Sequence, residues 1–318
     1  MACGFLSALA CWPFSLGQAQ ESATLTKLLV GFPPGGPTDA FARVLQTPLE
    51  APIGTRAIVA YHSGASGRIA VSMASRARPT GGTLLITPGA QVTIQPHLVV
   101  DPPIDPTRQL APIALVATTT LCVLVASDHP AGNIGQLKEW FARNPALADC
   151  GTPGSGSVAH MVALALARHM EAGITPVHYR GAAEMLAALV GGSLHSAIAA
   201  PWIALPLAQA GRVRILASTG DTRADSLPSV PTMRELNLDV VATEWAGAFA
   251  PSGMRAEQLD SLNHAFCTAL AQPGVQSTFA QLGMQAGSAD RAQFAALVRD
   301  DRERWGRILK DSGVRAAG

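Results

Sequence analysis

Three short runs rich in glycine are where this chain could do chemistry: Phe32–Thr38, Ser63–Gly67 and Gly151–Ser157. None of them contains Lys or Arg. Any positive potential there must come from backbone N–H groups, which a glycine turn leaves open and a helix N-terminus points outward. Such groups suit a small anion, above all a carboxylate. Catalytic roles are poorly served. Ser66 or Ser155 could be a nucleophile with His160 as base, but neither serine sits in Gly-x-Ser-x-Gly. No Walker loop and no His-Glu-x-x-His occurs. Gly154-x-Gly156-x-x-Ala159 is a loose dinucleotide fingerprint, yet the following apolar run, Thr175–Tyr179, ends without an acidic residue. The eight histidines are scattered, without ligand spacing. Neither an enzyme, nor a metal site, nor a cofactor is expected.

The elements that must position these loops follow from the hydrophobic pattern. Leu28-Leu29-Val30 reads as a strand buried on both faces. Pro33 and Pro34 end it, Gly35 and Gly36 turn the chain, and Pro37-Thr38-Asp39 opens a helix with Thr38 or Asp39 as its cap. Ala40, Phe41, Val44 and Leu45 give that helix an apolar stripe. The same residues fit an anion site and an ordinary strand-to-helix connection. A strand over 56–61, the second glycine loop, a helix through Arg76 and a strand over 83–87 complete a βαβαβ run, the sign of a parallel sheet. Pro96 to Pro112 holds five prolines and reads as an irregular excursion. Strands are expected over 121–126, 175–179, 194–199 and 213–218, alternating with helices over 134–143, 159–170, 182–190 and 202–210. The stretch 149–158 reads as loop. Val240–Pro251 is a further strand, followed by helices near 259–270, 275–282 and 290–310, with Gly313 as the final stop.

Several motifs occur together along the chain. Val30-Gly31-Phe32-Pro33-Pro34-Gly35-Gly36-Pro37-Thr38-Asp39 comes first, then Thr80-Gly81-Gly82-Thr83-Leu84-Leu85 and Pro112-Ile113-Ala114-Leu115. Tyr179-Arg180-Gly181, Gly191-Gly192-Ser193, Leu227-Pro228-Ser229-Val230-Pro231-Thr232, Glu244-Trp245-Ala246-Gly247 and Ala250-Pro251-Ser252-Gly253 follow. The series resembles the Bug-type solute-binding proteins of tripartite tricarboxylate transporters. The resemblance implies an α/β fold of the type II periplasmic-binding-protein kind, with two domains joined by crossing segments and ligand in the cleft. Residues 24–123 with 219–318 would form one domain and 124–218 the other, opening and closing about a hinge. It also implies a small carboxylate ligand, an organic acid or an amino acid, held by backbone groups and water, and membrane transporter subunits as partners of a monomer. A sensor of the same fold feeding a signalling partner is the alternative.

On that resemblance the expected ligand contacts are Phe32, Pro33, Pro34, Gly35, Gly36, Thr38 and Asp39 from the first loop. Ser63, Gly64, Ala65, Ser66 and Gly67 come from the second, and Thr152, Gly154, Ser155, Gly156 and His160 from the third, with His195 beyond. His160 equally fits a helix-face histidine bonding locally. The chain departs from the family in several places, among them an apolar Ala199-Ala200-Pro201-Trp202 where the family is usually polar. Its second loop carries Ser66 and Arg68 where the family usually has Gly and Asn, and His195 stands where the family often has Asp.

Composition narrows the rest. The chain has 318 residues, 48% hydrophobic and 14% charged, ample for a large core and far from disorder. A net charge of +1 provides no field to attract nucleic acid. An apolar run from Cys3 to Leu16, followed by Gly17-Gln18-Ala19, reads as a secretory signal peptide over residues 1–19, hence a periplasmic protein. No other run is long enough to span a membrane. Of the five cysteines, Cys122, Cys150 and Cys267 lie beyond that segment and read as buried small hydrophobes.

Overall fold

The computed structural model describes residues 25–99, 104–170 and 173–312. The expected signal segment and Gly313 lie outside them.

The chain starts as read: β1 (Leu25–Val30), α1 (Pro37–Ile53), β2 (Arg56–Tyr61), α2 (Arg68–Ser75) and β3 (Thr83–Pro88). These three strands are parallel, with Leu28 paired to Val59 on one side and Leu84 on the other. After the short helices α3 (Ala90–Thr93) and α4 (Pro106–Gln109) come two consecutive strands, β4 (Leu110–Thr120) and β5 (Cys122–Ala126). The central block is α5 (Ile134–Arg143), β6 (Asp149–Thr152), α6 (Val158–Met170), β7 (Thr175–His178), α7 (Ala182–Val190), β8 (Ala197–Ala199), α8 (Pro201–Gln209) and β9 (Val213–Ser218). β10 (Thr243–Pro251), α9 (Ala256–Leu270), α10 (Pro273–Gln281), β11 (Gln285–Ala286) and α11 (Arg291–Ser312) end it.

Two sheets result. The first has six strands in the order β11-β4-β10-β3-β1-β2, the second five in the order β7-β6-β8-β5-β9. Each is covered on both faces by helices. On one face of the first sheet Leu28 and Val30 meet Phe41 and Leu45 of α1 and Phe266 of α9. On the other, Leu29 and Phe249 meet Val71 of α2 and Phe294 of α11. The fold is thus two α/β lobes.

The chain changes sheet twice. Only Leu121 separates β4 from β5, and Thr219 follows β9 on the way back to β10. These crossings are tied together. The Thr219 hydroxyl accepts from Leu121 N–H at 2.9 Å and donates to Ala242 C=O at 2.6 Å, while Thr219 N–H donates to Leu121 C=O at 2.8 Å. α11 also bridges the lobes: Phe294 and Val298 pack on the first sheet, whereas Trp305 and Leu309 join the core built around α6 and β5.

Among the strands that depart from the sequence reading are β4 and β6. β4 was not expected, because Pro112 argues against a sheet interior. It is accommodated beside a register shift, where Phe249 pairs with Pro112 and Ala248 with Ala114, leaving Ile113 as the extra residue. β6 lies inside the stretch read as loop. Gly151 serves close packing there, since a Cβ would stand 2.4 Å from the Leu194 side chain. Cys122, Cys150 and Cys267 are free thiols, and burial pushes those of Cys122 and Cys150 up to about 12.

Candidate functional site

The first two glycine loops leave the C-terminal ends of the neighbouring strands β1 and β2, the edge where open α/β sheets gather ligands. They are locked together. A Cβ on Gly31 would stand 2.8 Å from the Gly67 Cα, and one on Gly67 would stand 3.2 Å from the Phe32 ring. Gln91, which follows β3 at the same edge, donates its Nε2 to Ser66 C=O at 3.0 Å.

The first loop enters α1 through Gly36, not through Thr38 or Asp39. Gly36 is the N-cap, extended at φ −88° and ψ 173°, with Pro37 in the first turn. Proline at the first helical position has its φ preset and lacks an N–H that would be unpaired anyway, so it fixes the start one residue earlier. Asp39, expected both as a cap and as a ligand contact, is not the cap; it braces the loop from inside the first turn. Its Oδ2 accepts from Gly35 N–H at 2.7 Å, and its Oδ1 accepts from Tyr61 Oη at 2.6 Å and Arg43 Nε at 2.7 Å. Asp39 is buried, at 5% exposure. Burial alone would raise its carboxyl, but the bonds from Tyr61, Gly35 and Arg43 outweigh burial and hold it below the ordinary value.

The second loop is backbone-strained. Ala65 and Ser66 both take left-handed φ, 47° and 54°, between Gly64 and Gly67, which are also at positive φ. Arg68 lies exposed, its Nε donating to Ala65 C=O at 3.1 Å, so it buttresses its own loop.

The third loop follows β6 in the second lobe and meets the first lobe. Ser155 C=O accepts from Gln95 Nε2 at 3.4 Å, and a Cβ on Gly156 would stand 2.5 Å from the Leu98 side chain. His160 is 3% exposed and accepts from Gly156 N–H on its Nδ1 at 3.2 Å. It bonds locally. Burial and the neighbouring His178, whose ring lies 4.3 Å away, push its pKa down to about 4. Neither Ser66 nor Ser155 offers its hydroxyl to His160 among the described residues, so the hydrolase pairing is absent there. Thr152 also bonds within its lobe, to His178 Nδ1 at 2.7 Å.

His195 does not join this group. It precedes β8, and its Nδ1 lies 2.8 Å from Asp149 Oδ2, at the start of β6. β6 and β8 are parallel, so His195 is at the opposite edge of the sheet from the loop after Thr152. Backbone N–H groups without a partner among the described residues remain at Gly36, Ala65, Ser66 and Gly154. Two cavities, of about 440 and 580 Å³, lie away from all three loops. A site built from loop donors is marked by donor geometry, not by cavity size, so these cavities do not displace it.

A family model described as "Tripartite tricarboxylate transporter family receptor" matches residues 41–314. The chain belongs to that family. Among this receptor's relatives is protein BugT of Bordetella pertussis, 26% identical over 91% of the chain and 89% of BugT. Two solved structures from Rhodopseudomonas palustris are similar, each 26% identical. MatC with bound malate has a TM-score of 0.78 and covers 90% of this receptor and 99% of MatC. A protein with adipate has a TM-score of 0.81 and covers 92% of this receptor and 98% of that chain. The fold is therefore of the periplasmic-binding-protein type, two α/β domains with a ligand cleft between them.

Proposed function

We propose that this receptor captures a small carboxylate between its lobes, outside the cytoplasm, and presents it to the membrane subunits of a tripartite tricarboxylate-type transporter. A binding protein, not an enzyme, is the reading. The observation that carries it is the set of unpartnered N–H groups at Gly36, Ala65, Ser66 and Gly154, in loops without Lys or Arg. Malate and adipate, bound by the two similar proteins, are both dicarboxylates.

The energetics fit. Hydrogen bonds to a charged group contribute about 1.5–3 kcal/mol each. Three or four of them, less the cost of association, correspond to affinity on the order of micromolar. The test is a thermal-shift panel of carboxylates, the matching amides, and sugars. Ligand at ~100 times its dissociation constant should stabilise by about 2.7 kcal/mol, a rise of several degrees. Arg68→Ala should retain that rise. Equal stabilisation by amides or sugars would overturn the carboxylate reading.

A further inference from the structure

One acidic side chain at the loop-bearing edge of the first sheet has no partner. Glu244 is the second residue of β10, and Ala246, two residues on, pairs with Pro88 at the end of β3. Glu244 therefore lies just beyond the C-terminal end of β3, the edge from which the first two glycine loops leave. Along β10, Ala246, Ala248 and Ala250 face the α1 layer, while Trp245 and Phe249 face α11. Alternation puts Glu244 on the α1 side, the side onto which the first loop turns. Its cross-strand neighbour is Thr119, whose hydroxyl donates to Gly283 C=O at 3.1 Å. Gly283 in turn lies against Pro201 and Trp202 of the second lobe. Glu244 is thus placed where the two lobes face each other, two residues from the crossing at Ala242.

Glu244 is half-buried. It has no hydrogen bond and no ion pair among the described residues, and burial is the one influence on its carboxyl, raising its pKa. The cations of the first two loops and α1 are committed elsewhere, Arg43 to Asp39 and Arg68 to Ala65. A second acceptor is also unfilled: Gln91 is 8% exposed, its Nε2 serves Ser66, and its Oε1 has no partner. Two vacant acceptors at the edge where the loops present free N–H groups call for a ligand with an anionic end and a donor-rich cationic end. A second carboxylate on the ligand would meet Glu244 as a like charge, which disfavours binding.

We infer that Glu244 receives an ammonium group, and that the solute is a carboxylate carrying one, an amino acid or a close analogue. This rests on the carboxylate reading above. An ammonium supplies three donors and the opposite charge, which a partly desolvated carboxylate otherwise lacks.

The test uses matched probes on the purified chain: L-aspartate with succinate, L-glutamate with glutarate, L-leucine with 4-methylpentanoate, and n-butylamine alone. In at least one pair the amino acid should bind tenfold or more tighter than its amine-free twin. Glu244→Gln, equal in size, should remove that preference, weakening the amino acid tenfold or more and its twin less than threefold. Unliganded Glu244→Gln should melt no lower than the parent. If it fails to fold, Glu244→Asp must weaken the amino acid and spare the twin. Twins that bind as well as the amino acids, or a preference that survives Glu244→Gln, would overturn the inference and leave the carboxylate reading standing. Stabilisation by n-butylamine alone, dependent on Glu244, would support the role of Glu244 and sink the carboxylate reading. Silence across all probes would overturn both.

Discussion

His160 is a base kept neutral by its surroundings, and this makes stability depend on pH. Its pKa falls from 6.5 to about 4 on folding, through burial and His178. Between those values the unfolded chain binds a proton that the folded chain refuses, so stability rises with pH. The contribution is fully present above pH 6.5 and lost as pH falls toward 4, to the extent of up to about 3 kcal/mol. Melting temperatures at pH 7 and pH 4.5 should show the drop. His160→Gln, whose Oε1 can still accept from Gly156 N–H, should reduce it. His178, His97 and His129, also lowered mainly by burial, supply the remainder. The sequence placed His160 beside the third loop and fitted it both to a ligand contact and to a local bond; the structure shows the local bond, from Gly156 N–H. Asp39 was visible as a residue of the first loop, but not its bond to Tyr61, 22 positions away. Gln91 lay in no motif and Glu244 only in one shared with the family, so neither could be read as a ligand group, because their meaning lies in partners that are missing.

The first loop is the element whose two glycines do different work. Gly35 has φ 93°, where a Cβ is strained, and Gly36 has φ −88° with nothing nearer its Cβ position than Pro33 C=O at 3.9 Å. Gly35→Ala should cost about 1–2 kcal/mol, the usual penalty for left-handed backbone. Gly36→Ala should cost under about 1 kcal/mol, as a weaker N-cap. Urea melts of the two variants should separate them. Gly36→Val should keep the fold yet lose the carboxylate-induced rise in melting temperature, because its branched side chain stands in the approach to the Gly36 N–H; a retained rise would mean the loop does not meet the ligand at Gly36. The longer helices were readable from their stripes, to within a few residues, but the one-turn helices α3 and α4 were not. The start of α1 was misplaced because the proline, not the acidic side chain, sets it. β4 escaped because a strand that tolerates proline through a bulge shows that only against its partner.

At the scale of the whole molecule, two crossing segments are clamped by one hydroxyl. Thr219 is fully buried and links Leu121 to Ala242. Thr219→Val keeps the shape and leaves both backbone groups without that partner, at a cost of about 2–4 kcal/mol for the two. A melting temperature within a degree of the parent would show the clamp to be redundant. The alternation of strands and helices made two lobes legible, since each βα pair announces a parallel unit. The bridging by α11 was not, because one apolar stripe gives no hint that Phe294 and Trp305 serve different cores. The strand order carries one more consequence. β10 lies between β3 and β4, yet is made more than a hundred residues after both. Until residue 251 is available, β3 has only β1 beside it and β4 has neither of its neighbours, so the first sheet is incomplete. Nascent chain short of that point cannot complete this lobe, so the first sheet closes only late in synthesis.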